Sequence, residues 1–173
     1  MGRRKRIWLP NYFYHIVCRG NRRDPLFNDE HDFLTYLYIL RHIYDRYPFE
    51  IASYCIVTNH LHLQLTSPEH PISKIMSLVN KRYADYYNTK YKMTGHVYEK
   101  RYFDKIIPDP LAMLEVSRYI HQSTGSTNGL KSRRLPMEQL PPFFIGENHK
   151  SRTLLQHKFV SDRHHPKHVE YNT

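Results

Sequence analysis

The most restrictive feature of the sequence lies in its middle, where two apolar, β-branched runs, Phe49 to Val57 and Leu61 to Leu65, are parted by Thr58-Asn59. Runs of that length with so short a polar connection read as the two strands of a tight antiparallel hairpin. Whatever else the chain does, it must build a sheet around this hairpin.

The flanking segments say what the neighbours are. Tyr12 to Cys18 is dense in aromatic and β-branched residues and is closed by Arg19-Gly20-Asn21, which predicts a strand ending in a turn. From Phe33 the residues Leu37, Leu40, Tyr44 and Tyr47 step by three and four, which predicts a helix capped near Asn28 or Asp29 and stopped by Pro48. Beyond the hairpin, Ile72, Ile75, Met76, Val79, Tyr83 and Tyr86 form a second helical stripe, with Lys74, Lys81 and Asp85 off it. Gly95 breaks that pattern, and Tyr98 to Ile107 has the content of one more strand or a short pair. Asp109-Pro110 then opens a third helix, from about Leu111 to Gln122.

Strand, helix, two strands, helix, strand is the order of a ferredoxin-like split βαβ unit. The expected fold class is therefore α+β, an antiparallel sheet with helices on one face and the third helix as an addition. Residues 1–130 are expected to form the domain. Residues 131–173, with Pro136, Pro141, Pro142 and scattered charges, are expected to be a basic, loosely attached tail.

Charge narrows the partner. Lysine plus arginine outnumber aspartate plus glutamate by 26 to 16, a net charge of +10, which suits a polyanion. The candidate phosphate contacts are Arg3, Arg4, Lys5, Arg6, Arg19, Arg22, Arg23, Lys81, Arg82 and Arg101, and the interleaved aromatics suit stacking on unpaired bases. No stretch approaches the roughly 18 apolar residues of a spanning helix, and no signal core follows the basic start, so a cytoplasmic protein without a membrane partner is expected. The two cysteines, Cys18 and Cys55, fall in apolar stretches and read as buried free thiols rather than a disulfide or thiolate metal site.

The chemistry concentrates at His60-Leu61-His62. Residues two apart on a strand share a face, so both imidazoles project together while Leu61 enters the opposite layer. Such a pair can hold a divalent cation but needs a further ligand from elsewhere in the fold.

Five segments in order carry a resemblance to a known family. They are Tyr14-His15-Ile16-Val17-Cys18-Arg19-Gly20-Asn21-Arg22-Arg23, Tyr54 to Leu63 around the His60-Leu61-His62 motif, Arg82-Tyr83-Ala84-Asp85-Tyr86-Tyr87-Asn88, Gly95-His96-Val97-Tyr98-Glu99-Lys100-Arg101-Tyr102, and Ser117-Arg118-Tyr119-Ile120-His121. Together they resemble the single-tyrosine transposases of the HUH superfamily, including the REP-associated group. The resemblance implies His60 and His62 as metal ligands, Tyr119 as nucleophile and Mg²⁺ or Mn²⁺ as cofactor. It also implies single-stranded or hairpin DNA as partner and a monomer or homodimer as the working unit.

The implied reaction is metal-dependent cleavage and strand transfer through a covalent 5′-phosphotyrosine. Relatives continue with asparagine four residues beyond the tyrosine, where this chain has Ser123. The further ligand is therefore open among His121, Gln122, Ser123 and His15, the last because the first strand of a split βαβ sheet lies beside the third. The alternative is a decayed or domesticated protein that binds single-stranded or hairpin DNA without cutting it.

Overall fold

The structure, a computed structural model, describes residues 6–122 and the backbone of Ser132–Arg133. Its elements run β1 (Phe13–Arg19), α1 (Glu30–Tyr44), β2 (Glu50–Val57), β3 (His60–Thr66), α2 (Ile72–Tyr91), β4 (Phe103–Ile107), α3 (Pro110–Gln122) and β5 (Ser132–Arg133). The sheet order is β4-β1-β3-β2-β5, with every pairing antiparallel. The first four strands give the split βαβ arrangement expected from the order of elements.

The hairpin closes with Val57 opposite His60, so Thr58 and Asn59 alone form the loop. Leu61, Leu63 and Leu65 point to one face and meet α1 and α2 in the main core, together with Tyr14, Ile16, Tyr54, Ile56, Tyr36, Leu40, Ile75 and Val79. Full burial of each such leucine or isoleucine contributes about 1.5–3 kcal/mol, so this layer dominates the stability of the domain.

The added helix lies on the opposite face. Met113, Val116 and Ile120, at helical spacing along α3, cover Phe13, Ile107, Cys55 and Val57. A polar tether fixes it there: buried Ser53 Oγ donates to Gln64 Oε1 at 2.6 Å, and Gln64 Nε2 donates to the Met113 carbonyl at 2.9 Å. A bulge between Ile51 and Ser53 brings Ala52 into this second layer.

Several expected boundaries shift. Helix α1 starts as expected, with a capping box in which the Asp29 side chain accepts from the Asp32 backbone, but it ends at Tyr44 rather than at Pro48. The residue before a proline is pushed out of helical geometry, so the chain turns over 45–47, and Tyr47 packs on the core from outside the helix. The Tyr98 to Ile107 run is regular only from Phe103, while Tyr98 makes an isolated bridge to Gly20. Ser132 and Arg133, inside the segment expected to be a loose tail, pair with Val57 and Ile56.

Both cysteines are buried free thiols, as their surroundings suggested. Among the described residues no helix is long and apolar enough to cross a membrane.

Candidate active site

Strand alternation places His60, His62 and Gln64 on the α3 face of β3, with His15 on the neighbouring β1. His62 is buried, with 4% of its surface exposed, and its ring stands edge-on to His60 with centroids 5.0 Å apart. Tyr119 reaches the same spot from α3: its ring lies 5.6 Å from His62 and 6.1 Å from His15, both edge-on. Its neighbour Ile120 is fully buried, which pins that turn of the helix, yet 55% of Tyr119 is exposed. The phenol is thus held beside the imidazoles and open to a substrate. A cavity of about 360 Å³ opens here, lined by His15, His62 and Tyr119 with Arg19, Lys100 and Arg101 on its basic side.

Hydrogen bonding decides which imidazole nitrogens are available. The Asn59 side chain sits between two partners: its Nδ2 donates to the Arg23 carbonyl at 3.2 Å, and its Oδ1 lies 2.7 Å from His60 Nδ1. A carbonyl only accepts, so the amide nitrogen must face Arg23 and the amide oxygen must face His60. The neutral His60 ring therefore carries its proton on Nδ1 and its lone pair on Nε2. His62 Nδ1 lies 3.0 Å from His15 Nε2, with the two rings nearly parallel at 20°. These two rings share one proton. When His62 donates it, His62 Nε2 becomes a lone pair as well.

Burial keeps the cluster uncharged. It lowers the pKa of His60, with the nearby Arg19 charge adding to the effect, and that of His15, with Lys105 adding. His62 is pushed down to about 3 by burial first, then by His60, His15 and Arg19. Neutral imidazole is the form that ligates a metal.

The backbone around this site is built by the Arg19-Gly20-Asn21-Arg22-Arg23 segment. Gly20 N donates to the Asn59 carbonyl at 2.9 Å, and Arg22 and Arg23 take left-handed φ values of 52° and 65°. A Cβ at Gly20 would come within 2.1 Å of the Asp24 carbonyl oxygen, so only glycine fits where the turn wraps the hairpin loop.

The sequence candidates divide accordingly. His60, His62, His15 and Tyr119 come together, and Arg19 and Arg101 border their cavity. Arg22 and Arg23 flank the Asn59 loop, and exposed Arg82 and Lys81 lie on α2, Lys81 paired with Asp85 at 2.8 Å. Arg6 is engaged within the protein: it pairs with Asp104 at 3.0 Å and lies 3.8 Å above the Tyr102 ring.

His121 and Gln122 belong to the last turn of α3 by their backbone, and Ser123, Arg3, Arg4 and Lys5 lie outside the described residues. Among the described residues no three His, Cys, Asp or Glu side chains are grouped as a complete metal site. Sequence reading passed over Asn59, taken as a turn residue, and Gln64. The signal for Gln64 was present, since it continues the period of two set by His60 and His62.

The model of the IS200-like transposase family matches residues 9–123, which contain every side chain of this cluster. Among solved structures, a REP-associated tyrosine transposase bound to a REP hairpin is similar in fold, with a TM-score of 0.61 and 16% identity over 72% of this chain and 73% of that one. A candidate transposase from Deinococcus radiodurans is 18% identical over 70% of this chain and 97% of its own, with a TM-score of 0.47. No curated protein matches the sequence.

Proposed function

Because the chain belongs to the IS200-like transposase family, we propose that it cleaves and rejoins single-stranded or hairpin DNA, with Tyr119 as nucleophile and His60 and His62 as ligands of Mg²⁺ or Mn²⁺. The observation that carries this reading is the meeting of Tyr119 with His62 and His15 at the floor of a basic cavity. None of these three is near another in sequence.

The donor set suits a divalent ion in part. His60 Nε2 is a fixed lone pair, and His62 Nε2 is one in the tautomer that His15 accepts from. Mg²⁺ and Mn²⁺ prefer oxygen for the rest of their shell, which phosphate and water would supply. When bound, the ion contributes charge that polarises and orients the scissile phosphate.

Arg19, Lys100 and Arg101 hold the flanking phosphates, and the fixed helix turn keeps Tyr119 within reach of phosphorus. The phenol oxygen bonds to phosphorus as the bond from phosphorus to the 3′ oxygen breaks. The phenolic proton leaves through water and the departing oxygen becomes a 3′-hydroxyl. The phosphotyrosine ester conserves the bond, so a 3′-hydroxyl from another strand reverses the step and joins DNA without ATP.

Incubation with hairpin oligonucleotides carrying unpaired flanks and Mn²⁺ is expected to yield an adduct that survives denaturation. DNA binding without any adduct in Mg²⁺ or Mn²⁺ would overturn cleavage in favour of a protein that only binds DNA, the reading favoured by Ser123 in place of the family's asparagine.

A further inference from the structure

A second and larger depression, about 530 Å³, lies beyond the wall of the catalytic cavity, between the first half of α2 and the segment 95–102. Its floor is apolar and aromatic, with Met76, Val97 and Tyr98. One side is a polar stripe of α2 that includes Ser77 and Asn80, and the rim carries Lys81, Lys100 and Arg101. Lys100 and Arg101 make no ion pair or hydrogen bond among the described residues. Glu99, Lys100 and Arg101 border both hollows.

We propose that this depression is a subsite for one unpaired nucleotide of the DNA strand, whose base enters between α2 and Val97-Tyr98 while its phosphate rests on Lys100 and Arg101. The proposal rests on the reading of the neighbouring cavity as the place where the strand is processed.

Size, chemistry and position agree on that occupant. The volume falls within the range of about 300–1,000 Å³ of small-ligand pockets. An apolar floor with a few placed polar groups suits the flat face and polar edge of a nucleobase, and cations at the mouth suit its phosphate. Asn80 presents an amide, the group that pairs edge-on with a base, and its side-chain contacts among the described residues are weak ones to Cys18 Sγ, 3.6 Å from Nδ2 and 3.7 Å from Oδ1.

Three residues of chain span at most about 10 Å. The two hollows lie on either side of a wall only three residues long, Glu99 to Arg101. A strand with its phosphate beside Tyr119 passes over Lys100 and Arg101 into the second hollow.

The wall is formed in advance of binding. Asn21 N donates to the Val97 carbonyl at 2.9 Å, Glu99 N to the Arg19 carbonyl at 3.1 Å, and Asn88 Nδ2 to the Gly95 carbonyl at 3.2 Å. Little ordering of the protein is then needed when the base enters.

The test is DNA binding in EDTA, measured by fluorescence anisotropy on the full chain. Ser77→Trp fills the hollow from an exposed helix position, and Asn80→Ala removes the amide while leaving the space open. The probes are a hairpin with unpaired flanks, the same hairpin without them, and a series with a single abasic site moved along the flank.

Ser77→Trp is expected to weaken the flanked hairpin about tenfold, the scale of losing one stacked base, and to leave the blunt hairpin unchanged. Asn80→Ala should weaken the flanked hairpin by less. One abasic position should cost wild type as much as the tryptophan does and cost Ser77→Trp nothing further. Equal effects on flanked and blunt hairpins, or an abasic scan with no such position, would overturn the subsite. Adduct formation with Mn²⁺ is scored separately: a protein that shows the abasic pattern but no adduct keeps the subsite and loses the cleavage reading, and the converse result does the reverse.

Discussion

Two clusters of polar side chains, one built round buried Asp32 and the other round buried His62, lie on the two sides of this sheet, and they solve the cost of burial in opposite ways. In the helix layer, Asp32 is fully buried yet charged. Its carboxylate accepts from Lys90, Tyr86 and Tyr91 at 2.7–2.8 Å and from the Asn28 backbone at 2.8 Å, tying the start of α1 to the end of α2. Burial alone would raise its pKa, but the hydrogen bonds from Lys90, Tyr91 and Tyr86 together bring it below the ordinary value of 3.8. On the α3 side, His15, His60 and His62 have no acidic partner among the described residues, and burial leaves them neutral. The first cluster spends its hydrogen-bonding capacity on itself. The second is arranged so that ring nitrogens remain for something that is not protein, which is what separates a structural network from a candidate site.

The largest effect that tests the contrast is at Tyr119. Tyr119→Phe is expected to remove covalent adduct formation entirely while leaving hairpin affinity within about twofold, because only the oxygen proposed to bond to phosphorus is lost. An adduct that persists in this variant would make another tyrosine the nucleophile.

In the helix layer the same kind of change should act on stability instead. Asp32→Ala leaves two tyrosine hydroxyls without this acceptor and the Lys90 ammonium with Asp29 alone, and is expected to destabilise the fold by about 3 kcal/mol in urea unfolding. A loss below about 1 kcal/mol would show that this network contributes little.

Asn59→Ala addresses the other cluster. It frees His60 to carry its proton on either nitrogen, and the expected result is a 10- to 100-fold loss in Mn²⁺ affinity by calorimetry with an unchanged melting temperature. Nitrogen chemical shifts of His60 in the metal-free wild type should show the proton on Nδ1. A proton on Nε2 would remove Asn59 from this role.

The smallest effect concerns acid. Asp32 binds its proton less tightly when folded than when unfolded, so the unfolded chain takes up more protons as the pH falls. Stability from this group is full above its unfolded value near pH 4 and is lost as the pH drops through its lower folded value. Asp32→Asn is expected to flatten the fall in stability below pH 4, measured by urea unfolding at successive pH values. An unchanged slope would place the acid sensitivity elsewhere, Asp29 being the next group held low, by its hydrogen bond from Lys90.

Local patterns were enough to read most of the architecture. Strand alternation from His60 to Leu65, the helical spacing of Phe33, Leu37 and Leu40 and of Ile75, Met76 and Val79, and the Thr58-Asn59 loop each act over a few residues, and their order alone selects the split βαβ sheet. The same alternation put His60 and His62 on one face, and the resemblance carried by the five segments singled out Tyr119. Those are properties of neighbours along the chain.

What lies across the chain had no such signal. That α3 crosses to the other face of the sheet depends on whether Met113, Val116 and Ile120 match the apolar spots offered by Phe13, Cys55 and Val57, a fit between surfaces far apart in sequence. Asn59 became more than a loop residue because Arg23, 36 positions away, offers a carbonyl that fixes which end of its amide faces His60. The order of elements already placed the His15 strand beside that of His62, but the register that brings His15 Nε2 within 3.0 Å of His62 Nδ1, 47 positions away, was set only by the closed sheet. Hydrogen bonds and packing are decided by distances of a few ångströms, and only the closed sheet sets those distances.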